Sequence, residues 1–369
     1  MSRLSLGIVG LPNVGKSTLF NALVKNGQAE ASNYPFCTIE PNVGIVEVPD
    51  DRLASLAVVV QPQRIVPAVV EFCDIAGIIA GASQGEGLGN KFLAHIRETA
   101  AIVLVARFFD HPDIVHVTGS VDPKRDLETV LLELVLADLE VVIKAHDRVG
   151  KAARGADKVA VQQLAYLERI RQALENEQPA RTVPPASEEE STLLRELQLL
   201  TAKPLMIVAN VSESDVALAP EALFTTHNLG SLVPSADWII PISAKLEAEL
   251  AALPADEQAA FLGEYGLAES GLNRLVRTAY ELLGLQTYFT AGVQEVRAWT
   301  IPVGAKAPEA AGVIHTDFTK GFIRAEVIRY ADYVALQGES GAREAGKLRS
   351  EGKEYVVQDG DVMHFRFNV

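Results

Sequence analysis

Residues Gly10 to Ser17 fit G-x-x-x-x-G-K-[ST] in full, between the apolar run SLGIVG and the helix-forming stretch STLFNAL. Backbone N–H groups of such a loop, closing onto a helix N-terminus, form a nest in which dipole and unpaired donors both favour phosphate. The expected nucleotide contacts are the loop and first helical turn, Asn13, Val14, Gly15, Lys16, Ser17 and Thr18. Lys16 would reach the β- and γ-phosphates, the Ser17 hydroxyl would ligate Mg²⁺, and the Thr18 N–H would lie near the α-phosphate. Asn13 is also a candidate to hold a K⁺ that bridges the phosphates and adds positive charge where a transition state needs it.

Two further segments fit a nucleotide switch. EFCDIAG ends a predicted strand on Asp74, whose carboxylate can hold the Mg²⁺ shell directly or through water. Gly77, three residues on, offers an N–H to a γ-phosphate. NYPFCTIEPN supplies Thr38 as a second Mg²⁺ hydroxyl, with Cys37 beside it as a candidate redox-sensitive position. Residue 78 is isoleucine, where Ras-like enzymes carry the glutamine that orients water. An aliphatic side chain cannot do that, so slow intrinsic turnover is expected. The glycine-rich AGASQGEGLGNKF that follows should move without γ-phosphate. His116, in the loop after AIVLVA, could approach the γ-phosphate if that loop folds inward, and His95 is a weaker candidate.

LMIVAN-VSE has the form of a strand that runs into a base-reading loop. GTPases carry N-K-x-D there, and its aspartate accepts the N1–H and 2-amino hydrogens of guanine. Here the segment is Asn210-Val211-Ser212-Glu213. Glutamate is one methylene longer and would crowd guanine, while adenine asks for no carboxylate. A site without its hydrogen-bond partners discriminates strongly, which favours ATP over GTP. Adenine would then be read by Asn210 and main-chain groups near Val211, with Ser243 and Ala244 of IIPISAK as the second wall. Poor selectivity, with Glu213 merely capping the following helix, is the alternative.

GLPNVGKST, the aliphatic Ile78, GASQGEGLGNKFL and N-x-x-E in one chain closely resemble the YchF (Obg-like) ATPases, and the resemblance covers essentially the whole sequence. It implies a Ras-like doubly wound α/β P-loop domain over 1–284, with a helical insertion at about 124–200. A β-grasp-like TGS domain over 285–369 would follow. It also implies an Mg²⁺-dependent ATPase that associates with the ribosome, and it raises His116 as a catalytic candidate. Two other readings stay open: a GTP-preferring Obg-like GTPase, and a non-enzymatic module in which nucleotide gates ribosome binding.

The elements agree with that architecture. SLGIVG, AVVEFCD, AIVLVA, LMIVAN and WIIPIS alternate with helical stretches, as a mostly parallel sheet requires. About 95 residues separate AIVLVA from LMIVAN, far more than one crossover helix needs. Helical periodicity over 126–149 and 158–175 predicts a hairpin with its turn near Gly150 and Gly155, and Ser187 with Glu190 a capping box on a third helix. ESGAREAGKLRSEGKEY is expected to be an exposed helix.

The net charge of −15 argues against broad nucleic-acid binding by the whole-protein field. Any such contact must be local, and the hairpin turn is the candidate: Lys144, Arg148, Lys151, Arg154 and Lys158 outnumber Asp147 and Asp157 there. These five residues are the expected rRNA phosphate contacts. A solvated helix face is the competing interpretation. Two cysteines and no apolar run of ~20 residues argue for a cytoplasmic protein with no membrane segment.

Overall fold

The computed structural model describes residues 5–27, 42–75, 88–155 and 157–368. The first half contains β1 (Ser5–Val9), α1 (Lys16–Gly27), β2 (Val43–Glu47), α2 (Asp51–Val60), β3 (Arg64–Val66), β4 (Val69–Asp74), α3 (Leu88–Glu98) and β5 (Ala101–Arg107). Three helices follow, α4 (Pro123–Ala153), α5 (Lys158–Glu175) and α6 (Glu188–Leu197), then β6 (Leu205–Asn210), α7 (Pro220–Thr226) and β7 (Ile239–Ile242). Next come α8 (Ala244–Leu250), α9 (Ala255–Glu264) and α10 (Gly271–Leu282). The remainder holds β8 (Leu285–Ala291), β9 (Glu295–Pro302), α11 (Ala307–Ile314), α12 (Thr316–Lys320) and β10 (Phe322–Arg329). The chain ends through α13 (Tyr330–Ala335), α14 (Glu339–Glu344), β11 (Arg349–Glu351) and β12 (Asp361–Phe367).

The first compact unit takes in 1–26, 39–44 and 71–275. Its sheet has the order β2-β4-β1-β5-β6-β7, and the pairs β1/β4, β1/β5, β5/β6 and β6/β7 are all parallel. Every residue of β1, β5, β6 and β7 is buried, as strands covered on both faces must be. The five strands expected from the apolar runs are therefore present, in doubly wound order. The carboxyl ends of β1, β4, β5, β6 and β7 lead respectively into the phosphate loop, Asp74, the His116 loop, the Asn210 loop and Ser243.

The insertion is a helical hairpin with a core of its own, built from Val142, Val149, Tyr166, Leu167, Ile170 and Leu193, among others. The turn falls at one of the two expected glycines: α4 runs through Gly150 to Ala153, Gly155 lies in the turn, and Asp157 caps α5 by accepting from the Val159 N–H at 2.9 Å. Ser187 does cap α6, accepting from the Glu190 N–H at 3.2 Å. The Glu190 carboxylate reaches one residue further back than a capping box requires, to the Ala186 N–H at 2.7 Å. Fully buried Asp138 on α4 fastens the hairpin to the strand that follows it. It accepts from the Leu200 N–H at 2.9 Å and from the Thr201 N–H and hydroxyl, each at 2.7 Å. Burial pushes its carboxyl pKa up, against these three donors.

The second unit takes in 27–38, 45–70 and 276–369, so α2 and β3 belong with the C-terminal elements. Strand pairing explains this difference from a boundary at 284/285. β3 pairs in parallel with β9, Arg64 opposite Glu295 and Val66 opposite Arg297. Its sheet order is β11-β10-β12-β8-β9-β3, with a parallel β12/β8 contact between two antiparallel pairs, β8/β9 and β10/β12. α11 lies across it, and its small Ala307, Ala310 and Ala311 let Tyr288, Phe322 and Phe365 close over the helix backbone. The helix expected from Glu339 is confined to α14. Gly346 then takes a left-handed φ of 68°, which ends helical continuity and lets the chain turn into β11.

Candidate functional site

The phosphate loop leaves β1 in a conformation that few sequences allow. Asn13 and Gly15 have φ of 61° and 98°, and a Cβ on Gly15 would lie 2.4 Å from Asn210 Nδ2. A Cβ on Gly10 would lie 2.3 Å from the Val105 carbonyl oxygen. Both glycines are therefore fixed by close backbone approach as well as by turn geometry. α1 begins at Lys16, which puts its free N–H groups at the loop.

The Lys16 ammonium folds back onto its own loop, where it donates to the Leu11 carbonyl at 2.7 Å and is largely buried. Burial pushes its pKa down to about 8, against the pull of Asp74. The Ser17 hydroxyl donates to Asp74 Oδ2 at 3.1 Å. These two residues, 57 positions apart, converge where a hard cation would take oxygen ligands, and the donor set fits Mg²⁺. Asn13, Ser17 and Thr18 are exposed on this face, and Val14 is buried beneath it. Thr38, Gly77, Cys37 and Ile78 lie outside the described residues.

Asn210 ties the phosphate side to the base side. Its Nδ2 donates to the Val14 carbonyl at 2.8 Å, and its Oδ1 accepts from the Ala244 N–H at 3.0 Å. The Val211 N–H is taken by the Ile242 carbonyl at 2.9 Å, and the Asn210 carbonyl by the Phe108 N–H at 2.8 Å. The side chain expected to read the base thus first serves as a brace, with one amide hydrogen left over. Ser243 caps α8 through the Leu246 N–H, at 3.4 Å. Glu213 opens a short 3-10 turn, and its carboxylate meets the Lys245 ammonium at 2.6 Å. No local pattern signals this pair, because Glu213 sits in the turn after β6 and Lys245 in the first turn of α8.

The His116 loop adjoins the phosphate loop through Asn13, whose Nδ2 donates to the Val115 carbonyl at 3.3 Å. That contact occupies the amide nitrogen of the candidate K⁺ ligand and leaves its oxygen to coordinate. Arg107 underpins the loop by donating to the Ile114 carbonyl at 3.0 Å. The His116 ring itself is buried. Nδ1 lies 3.3 Å from the Thr118 N–H and 2.8 Å from its hydroxyl, and Nε2 lies 2.8 Å from Asp126 Oδ2. Arg125 completes the cluster by donating to the Thr118 hydroxyl at 2.6 Å and to Asp126 at 3.1 Å. His95 is exposed on α3. At the hairpin tip, Lys144, Arg148 and Lys151 project from α4, Arg154 caps it and Lys158 opens α5, all exposed.

Residues 5–145 match the family described as "50S ribosome-binding GTPase", and residues 285–368 match one described as "Protein of unknown function (DUF933)". The chain is 56% identical over 367 residues to "Ribosome-binding ATPase YchF" of Bacillus subtilis, covering 99% of this chain and 100% of that relative. It is 54% identical to the protein of the same name from Escherichia coli O157:H7, over 98% and 99% of the two chains. The chain belongs to the YchF family. Among solved structures, "Structure of the Schizosaccharomyces pombe YchF GTPase" superposes with a TM-score of 0.87 at 40% identity, covering 99% of this chain and 98% of that one. The family identity accounts for the P-loop domain and for a YchF C-terminal domain in one chain.

The buried Lys16 carries a pH signature. Its pKa of about 8 would rise on pairing with a phosphate anion, so nucleotide affinity is expected to be full below pH 8 and to fall as pH rises through that value. Nucleotide affinity measured by titration from pH 7 to pH 10 is expected to drop by up to about tenfold per pH unit above 8. In Lys16→Met the affinity should be weak and flat over the same range.

Proposed function

We propose that this chain is an Mg²⁺-dependent ATPase that binds ATP in preference to GTP and switches its association with the ribosome as it turns over. The observation that carries this is the convergence of Ser17 and Asp74 beside a buried Lys16, on a loop braced to N-x-x-E through Asn210. The relatives named ribosome-binding ATPases support it. Bound Mg²⁺, held by Ser17 and Asp74 with Thr38 as a further ligand, would supply positive charge to the β- and γ-phosphates. The protein's own part is positional. Loop N–H groups of Asn13 to Thr18 cradle the phosphates and Lys16 leaves Leu11 to neutralise the γ-phosphate. Gly77 offers it an N–H, and the Val211, Ser243 and Ala244 walls flank the base.

GTP is the second reading, favoured by the GTPase wording attached to the matching family and to the yeast structure. Equilibrium titration of nucleotide-free protein with ATP and with GTP, in Mg²⁺ and K⁺, decides between them. ATP is expected to bind at least tenfold more tightly, and tighter GTP would overturn the reading.

His116 is assigned to the hydrolytic step, on the ground that its loop touches Asn13 of the phosphate loop. The ring must leave Asp126 to act, which would keep turnover slow in the isolated protein. His116→Ala should lower kcat and spare ATP affinity; an unchanged kcat would remove this residue from the mechanism. A K⁺ at Asn13 Oδ1 would show as K⁺-over-Na⁺ stimulation of that rate.

The C-terminal unit, with its mixed sheet and crossing α11, is assigned to the TGS type of β-grasp domain. Ribosome contact is assigned to the basic tip of the hairpin, where five cations stand exposed and a 31-residue helix carries them away from the nucleotide site. Phosphate neutralisation releases counterions, so binding by such a tip depends on salt. Reversing charge at Lys151 and Arg154 together should weaken ribosome co-sedimentation severalfold and flatten its salt dependence. Unchanged co-sedimentation would place the docking surface elsewhere. Among the described residues, no helix is long and apolar enough to cross a membrane.

A further inference from the structure

The base loop differs from a guanine-reading loop in more than the length of its acid. Three bonds lace β6 and its loop to β7 and α8. They are Val211 N–H to the Ile242 carbonyl at 2.9 Å, Ala244 N–H to Asn210 Oδ1 at 3.0 Å, and Lys245 Nζ to Glu213 Oε1 at 2.6 Å. The first two fix the backbone spacing of the walls. The third fixes where the Glu213 carboxylate points. Ser212 keeps the turn beneath it closed by bonding Asp215 Oδ2 at 2.6 Å, so the loop has little freedom to swing that carboxylate elsewhere.

A carboxylate reads guanine by accepting from N1–H and from the 2-amino group at once, which requires both oxygens free and facing the base edge. Here one oxygen is held by an ammonium on the facing wall. We propose that Lys245 is a specificity-determining residue: by engaging Glu213 it withholds the carboxylate from guanine and leaves the site selective for adenine. The effect is exclusion of the wrong base, and it acts on the competitor more than on ATP. Glu249, 3.9 Å from the same ammonium, is the only other acid paired with Lys245 among the described residues, and it lies a helical turn further along α8. Hydrogen bonding to Glu213 raises the Lys245 pKa, consistent with a pair that persists in its charged form.

The inference rests on the ATP reading given above, and a two-by-two experiment separates the fates of the two. The ATP and GTP dissociation constants are measured for the wild type, Lys245→Gln, Glu213→Gln and the double variant. The wild-type ratio alone tests the ATP reading. The change produced by Lys245→Gln tests the role of Lys245. Both side chains reach solvent, so the pair has the strength of a surface ion pair. The ATP preference should therefore fall by about fivefold, mostly through tighter GTP. In the Glu213→Gln background the same substitution should leave the ratio unaltered. A ratio untouched by Lys245→Gln, an equal loss of both affinities, or the same shift with Glu213 absent would each overturn the inference.

Discussion

The amide of Asn210 is the constraint on which the rest of the site depends. It is a short polar side chain, buried at the end of β6, with its nitrogen on the Val14 carbonyl and its oxygen on the Ala244 N–H. Each partner would otherwise be a main-chain group shut away from water, and leaving such a group unpaired costs on the order of 1–3 kcal/mol. One residue therefore holds the phosphate loop, the base loop and the start of α8 in a single geometry. Gly15 is compelled by it, since any Cβ there would collide with the same nitrogen. The phosphate loop and the N-x-x-E loop are thus held at a fixed separation, and such preorganisation lowers the ordering cost of any ligand that spans them.

Much of this was legible in the sequence because it is local. The phosphate loop announces itself through eight consecutive residues, and the strands of the first sheet through apolar runs that only a doubly covered sheet tolerates. What could not be read is non-local. Glu213 stands out by its length, but the ammonium that holds it comes from the first turn of α8, 32 positions later. His116 follows the carboxyl end of β5, as the apolar run implies, yet its pairing with Asp126 depends on how the next helix starts. β3 has three residues, too few for an alternation to be visible, and it draws α2 into the C-terminal unit only because β9 supplies its missing partner. Helical periodicity located α4 and α5, and their turn falls at Gly155 but not at Gly150, which is tolerated inside a helix whose other face is well packed.

The hairpin shows how a long insertion is kept from destabilising its host. It buries an apolar cluster of its own, and it is fastened to the segment leading into β6 by Asp138. That carboxylate is fully buried yet accepts three hydrogen bonds, the condition under which a buried acid can be kept. A stiff lever anchored at one end leaves the charged tip free to engage something distant, while the root stays aligned with β6 and so with Asn210.

The pairing of β3 with β9 has a consequence for how the chain is made. Arg64 and Glu295, which bridge the two strands, are 231 residues apart. At synthesis rates of about 5–20 residues per second, roughly ten to fifty seconds separate their appearance. Throughout that interval the segment holding α2 and β3 has emerged without the sheet it belongs to, while the nucleotide-binding strands can already pair. The β9 edge of that sheet is thus covered by a strand made among the first, and a ribosome that stalls before β9 emerges leaves β3 without its partner.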